Sequence, residues 1–379
     1  MGRFWVDASI PQLEEIEADF LRQHSQIAFK QSVVAGLGTV HVHVQDSGGL
    51  VEGVAADRRR QATPSVEKPT LVLVHGWAAG NVHWMFVLKR LSAHFRVVCV
   101  ETYGCGRSER LPFRAKTALE TEAILVDSFE RWREAMGISE MVLCAHSLGA
   151  MLASAYAVRY PKRLKHLVLA SPAGIGGIPS TGDGGERSWM YKVYAFFWTR
   201  GVGLSPLLRW CGPFGLRMAT FAVRQRVAWL PQTARLREVD IEKLGEYTYQ
   251  LLAQPSSGEK AIFPLLSPML HAYHPISETL KGISRDEERE DGISCPVSII
   301  YGSPQQDWMP QRHGWALAEN LTRQGIKISV RSVRDAGHTL HLDNPDGFTE
   351  ALLDSWFSLS GGDKAQATAG SGAIDPEQS

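Results

Sequence analysis

No stretch of the 379-residue chain reaches the roughly 18 consecutive apolar residues that a membrane-spanning helix needs. The five cysteines, Cys99, Cys105, Cys144, Cys211 and Cys295, are odd in number, scattered and without a CxxC pair. That pattern speaks against a disulfide framework or a thiolate metal site, and leads us to expect a reducing, intracellular compartment. The N-terminus lacks the basic-then-apolar run of a secretory signal. Val6 stands where the lipidation pattern beginning Met1-Gly2 needs Ser or Thr. Net charge is missing too, since 40 Lys and Arg balance 40 Asp and Glu, so charge offers no footprint for a polyanion. One absence is local: from Arg187 to Arg237 there is no acidic residue at all.

What is present is an ordinary globular composition, 44% hydrophobic and 21% charged, on a chain long enough for one large domain or two modest ones. Ile10, Leu13, Ile16, Phe20 and Leu21 fall at helical spacing, after the aromatic lead-in Phe4-Trp5. Val40 to Val44 alternate as a strand, and Ser47 to Lys68 read as a surface loop. From Thr70 onward short β-branched runs (TLVLVH, FRVVCVE, MVLCA, HLVLAS) are apolar on both faces, as strands buried in a parallel sheet are. Helical stretches such as TALETEAILVDSFERWREAM separate several of them, so the expected class is α/β with a mostly parallel central sheet. The rhythm stops after Pro172 and resumes at Val297, which marks an inserted helical lid. We therefore expect an amphipathic segment at 1–30, core at 31–178, lid at 179–290, core at 291–358 and a polar, disordered tail at 359–379. There is no internal repeat.

The strongest chemical signal is MVLCAHSLGAML, Met141 to Leu152. Ser147 lies between a buried strand and a helix, with Ala145 two residues before and Gly149 two after. A strained strand-to-helix turn that presents a nucleophile needs small residues at both places, and Ala145 departs from the usual glycine by one methyl. A serine that only caps a core helix is the alternative. Oxyanion donors would be the backbone N–H groups of Leu148 and of Trp77, the latter in LVLVHGWAAG; a plain tight turn is the alternative there. The base should come late in the chain. His338, on the loop VRDAGHTLHLDNP, is the first candidate and His341 the second. Asp307, after PVSIIYG, is the candidate acid, although four residues separate it from Gly302 where two are common. No metal or organic cofactor is implied.

These residues, with the HG loop, ERWREAMGISEMVL and GCGRS, resemble the α/β-hydrolase-domain subfamily of N-acyl-phosphatidylethanolamine lysophospholipases. The same subfamily holds cardiolipin-specific deacylases and the lipid-droplet co-activator of a triglyceride lipase. The likeness runs over roughly residues 5 to 355 and includes GPFGLR and QPSSGEKA in the lid. It implies an α/β-hydrolase fold and a Ser147–Asp307–His338 triad. The co-activator branch has Asn at the nucleophile position, so Ser147 favours an active esterase. The subfamily also carries HxxxxD, linked to acyl transfer onto lysophosphatidic acid, and His338 to Asp343 fits that spacing; a helix cap by Asp343 would fit it as well.

The acid-free stretch of the lid holds nine basic residues interleaved with Trp189, Trp198, Trp210 and Trp229. Such a surface suits anionic lipid headgroups, with Arg224, Arg226, Arg235 and Arg237 as contacts. An ordinary cap with core tryptophans and solvated arginines is the alternative. We expect a hydrolase of phospholipid or lysophospholipid esters, peripheral on an organelle membrane (a mitochondrial one included) or a lipid droplet in the cytoplasm, with no nucleic-acid partner. A non-catalytic co-activator and an esterase of small soluble substrates are the rivals.

Overall fold

A computed structural model describes residues 8–43, 68–178, 188–230, 234–281 and 292–361. Phe4, Trp5, Val44, Arg187, all but Lys68 of the expected 47–68 loop and the tail beyond residue 361 lie outside it. Eight strands form one sheet: β1 Ala28–Val34, β2 Leu37–His43, β3 Thr70–Val74, β4 Arg96–Val100, β5 Met141–His146, β6 Leu164–Ala170, β7 Val297–Tyr301 and β8 Ile328–Ser332. Their order is β1-β2-β4-β3-β5-β6-β7-β8. From β4 to β8 every pairing is parallel; β1–β2 and β2–β4 are antiparallel, so β2 runs against the other seven strands. The sequence pattern did not separate β1 from the loop before β2; a left-handed turn at Ala35-Gly36 joins the two.

The all-apolar strands have a simple cause. Val72 and Val74 of β3 face one core, and Leu71 and Leu73 face the other. Helices α1 Ile10–Ser25, α2 Leu88–Ser92, α3 Ala118–Ala135 and α4 Gly149–Arg159 cover the first strands, with Phe129, Trp132 and Tyr156 on one face and Phe20 on the other. Among the described residues six α-helices then intervene between β6 and β7: α5 Trp189–Trp198, α6 Leu204–Trp210, α7 Pro213–Ala228, α8 Ile241–Leu252, α9 Ile262–Leu265 and α10 Ile276–Thr279. Among the described residues this insertion carries no strand, only two isolated bridges involving Ala272. The chain closes with α11 Gln311–Arg323, α12 Leu340–Asp343 and α13 Pro345–Ser360. Ser9 caps α1 by accepting from Gln12 N–H, and the helix buries Leu13, Ile16, Phe20 and Leu21.

A buried charge cluster joins α1 to the sheet. The Arg107 guanidinium bonds Glu17 at 2.8 Å and lies 3.9 Å from Glu101, with all three side chains out of solvent. Gly106 must be glycine here, because its φ is +54° and a Cβ would sit 1.9 Å from Glu101 Oε1. Burial first, then the neighbouring Glu17, pushes the Glu101 carboxyl up from 4.5 to about 8 against the pull of Arg107. Folding therefore favours its protonated form. That contribution is complete below about pH 4.5 and is lost as pH rises through about 8. We expect the melting temperature of Glu101→Gln to fall less than that of the parent protein between pH 5 and 8. Parallel melting curves would exclude the assignment.

Candidate active site

Ser147 follows β5 directly and opens α4 with φ +52°, a left-handed conformation that costs a residue with a Cβ of order 1–3 kcal/mol. The turn is crowded. A Cβ on Gly76 would meet Ser147 Cβ at 2.8 Å, and one on Gly149 would meet the His75 carbonyl at 2.4 Å. Ala145, two residues before Ser147 in β5, sits fully buried in the core. Backbone bonds hold the turn: Ser147 N–H donates to Ala170 O, and Ala150 and Ala173 N–H donate to Ser147 O. Leu148 is the N-cap of α4, where backbone amides have no intrahelical acceptor, and Trp77 follows the Gly76 turn that presses on Ser147.

His338 Nε2 lies 2.9 Å from Ser147 Oγ. On the far side of the ring, Nδ1 is 2.8 Å from Ser171 Oγ and 3.5 Å from Asp307 Oδ1. Ser171 in turn donates to Asp307 Oδ2 at 2.7 Å. The donors run one way: Ser147 O–H to Nε2, Nδ1–H to Ser171 Oγ, Ser171 O–H to the carboxylate. Ser171 lies wholly buried at the end of β6, with φ +40°. Sequence reading missed it, since only the pairing of β6 with β5 and β7 brings the ends of these strands together.

The long spacer before Asp307 is absorbed by a turn. Gln306 and Asp307 N–H both bond the Ser303 carbonyl, and the carboxylate accepts from Gly302 N–H at 2.9 Å and Met309 N–H at 3.0 Å. Burial drives the Asp307 carboxyl up, but bonds from His338, Ser171 and the two amides outweigh it and hold it below its ordinary value. The carboxylate thus stays ionised.

A family model described as the alpha/beta hydrolase fold matches residues 69–202. Human (lyso)-N-acylphosphatidylethanolamine lipase is 31% identical over 295 residues, which is 76% of this chain and 80% of that protein. The chain belongs to the α/β-hydrolase family. A rice probable 1-acylglycerol-3-phosphate O-acyltransferase is 29% identical over 303 residues, 78% of this hydrolase and 69% of the relative. Among solved structures, a Bacillus subtilis carboxylesterase superposes with a TM-score of 0.56 at 16% identity, covering 92% and 98% of the two chains, a likeness of fold.

Four more histidines surround the site of this hydrolase. His146 Nε2 donates to the His338 carbonyl at 2.8 Å. His341 stacks on Trp84 with ring centroids 4.3 Å apart, and neither of its nitrogens has a partner. Burial lowers His146 and His341 well below the ordinary histidine value, His83 to about 3 and His75 to about 4, so all four stay neutral. His341 makes no hydrogen bond to Ser147, whereas His338 Nε2 does, so the base's place falls to His338. Trp308, exposed beside Asp307, has its ring centroid 4.5 Å from that of His338.

The lid arginines depart from expectation. Arg226 points inward, bonding both carboxylate oxygens of Asp343 at 2.8 and 3.0 Å and Thr339 Oγ1 at 2.5 Å. Arg224 pairs with Glu242, Arg235 lies 5.1 Å over the Phe86 ring, and Arg237 donates to the Leu230 and Ala228 carbonyls. Each thus has a contact within the fold, and for Arg224 and Arg226 it is a carboxylate on α8 or α12 that linear sequence hides. Trp198 is buried, but Trp189, Trp210 and Trp229 are 73%, 71% and 86% exposed. Beneath α7 a cavity of about 240 Å³ is lined by Val223, Arg226 and Val227 on the lid and by Val82, Met85 and Thr339 on the core.

Proposed function

We propose that this hydrolase cleaves a fatty-acyl ester of a phospholipid or lysophospholipid through an acyl-enzyme on Ser147. The observation that carries the chemistry is the continuous hydrogen-bond chain from Ser147 through His338 and Ser171 to Asp307. Ser147 Oγ attacks the ester carbonyl while its proton passes to His338 Nε2. The oxyanion that forms takes N–H bonds from Trp77 and Leu148, at a helix start whose dipole favours negative charge. The resulting imidazolium, held by Ser171 and the ionised Asp307, returns the proton to the departing alcohol. Water, activated by His338, then releases the fatty acid; a lysophospholipid hydroxyl in place of water would make the step acyl transfer, the activity named for the rice relative.

The lipid assignment rests on the relatives' names and on this chain's own lid. Helices α5 to α7 and the residue after them expose Trp189, Phe196, Trp210, Phe214, Phe221 and Trp229. Large aromatic faces of this kind sit at the acyl–headgroup boundary of a lipid surface. We place the enzyme on an intracellular membrane or lipid droplet, docked by these aromatics rather than by the four expected arginines. Phospholipid vesicles test this. Trp189→Ser with Trp229→Ser should cut vesicle binding about tenfold while turnover of a short soluble ester stays near normal. Equal vesicle binding by the double variant would remove the lid from the lipid contact. A parent protein that turns over soluble esters but no vesicle lipid would leave a small-substrate esterase.

A further inference from the structure

Resting on the roles just proposed for Ser147 and His338, we propose that Arg226 of the lid and Asp343 form a latch that holds the base in register, so that His338 is aligned only while the lid is seated. Asp343 lies at the end of α12, five residues after His338, with its carboxylate wholly out of solvent. It accepts the Gly337 N–H at 2.9 Å, directly before His338, and the Thr339 hydroxyl at 3.1 Å, directly after it. The carboxylate thus grips the histidine from both sides along the chain. Arg226 comes from the last turn of α7, inside the inserted lid, and completes the grip by bonding Asp343 and Thr339 together.

Every other support of His338 comes from the core: His146 on its carbonyl, Ser171 and Asp307 on Nδ1. Arg226 is the lid's share. A buried carboxylate without its cation is costly, and burial already pushes the Asp343 carboxyl above its ordinary value despite Arg226, the Gly337 amide and Thr339. When α7 lifts, Asp343 loses its countercharge and the Gly337–Thr339 segment loses a fixed anchor. The His338-to-Asp343 spacing then has a reason apart from acyl transfer. One turn of helix is what returns a carboxylate to the loop that carries the base. Arg226 and Thr339 both line the cavity under α7, so a substrate chain entering there would touch the same latch.

The test uses the full-length chain, a fluorophosphonate probe for Ser147 and a short soluble ester, which needs no membrane. Arg226→Gln and Asp343→Asn should each lower kcat and the labelling rate, by up to about 10²-fold, with KM nearly unchanged. The double variant should be no worse than the poorer single, since both changes break one device. Arg226→Lys, which keeps the charge, should recover part of the loss. Glu242→Gln, which breaks a different lid ion pair, should behave like the parent protein. Arg226→Gln leaves the buried Asp343 without its countercharge, whereas the double variant leaves no buried unpaired charge, so the double variant decides where either single does not fold. Parent protein that reacts with the probe while Arg226→Gln reacts equally fast would overturn the latch. Parent protein that never reacts would instead overturn the role given to Ser147.

Discussion

Ser147→Ala and His338→Gln should each reduce ester hydrolysis by about 10⁵- to 10⁶-fold, and the two together should cost little more. The reason is the shared proton. His338 Nε2 takes the proton of Ser147 Oγ, 2.9 Å away, in the step that forms the acyl-enzyme, so removing either group stops that same step. Residual turnover would come from the Trp77 and Leu148 amides and from substrate binding. Ser147 lies at a strained φ of +52° with its backbone bonds intact whatever its side chain, so Ser147→Ala should melt no lower than the parent. Turnover kept within tenfold by Ser147→Ala would sink the mechanism. A double variant far worse than either single would mean that the two residues act separately.

Asp307→Asn should lower kcat by about 10⁴-fold, the scale seen when a triad acid can no longer hold its histidine in the working tautomer. The geometry adds a structural cost. Both oxygens of Asp307 accept from backbone N–H groups, Gly302 on one and Met309 on the other, and Ser171 adds a third bond. An amide NH₂ at either place would meet a donor, leaving buried groups unpaired at about 1–3 kcal/mol. We therefore expect a measurable drop in melting temperature beside the loss of activity. Ser171→Ala should be milder, about tenfold in kcat, because His338 Nδ1 at 3.5 Å can close directly onto Asp307 once the hydroxyl is gone. Steady-state kinetics on the two variants separate the cases. Wild-type turnover by Asp307→Asn, or an equal collapse for both, would show that the acid lies elsewhere.

Much of this protein is determined along the chain. Each sheet strand from β3 to β7 is a short apolar run because both of its faces meet a core, and that pattern is local. The turn at Ser147 is legible for the same reason: a strand, two small flanking residues and a helix start are all contained in Met141 to Leu152. The loop of His338 and the helix face of Leu13, Ile16, Phe20 and Leu21 are likewise readable. Pairing across the chain is another matter. Ser171 shows no motif, and joins the site only because β6 lies between β5 and β7. Asp307 is spaced awkwardly in sequence, and a turn onto Ser303 brings it back. The lid shows the limit most clearly. Its nine cations without an acid look like a solvent-facing surface when read linearly. The carboxylate partners of two of them, Glu242 for Arg224 and Asp343 for Arg226, lie 18 and 117 residues further on. Sequence determines the period and polarity of each element; which charge meets which, and whether an arginine faces lipid or a buried carboxylate, is decided only when distant segments pack.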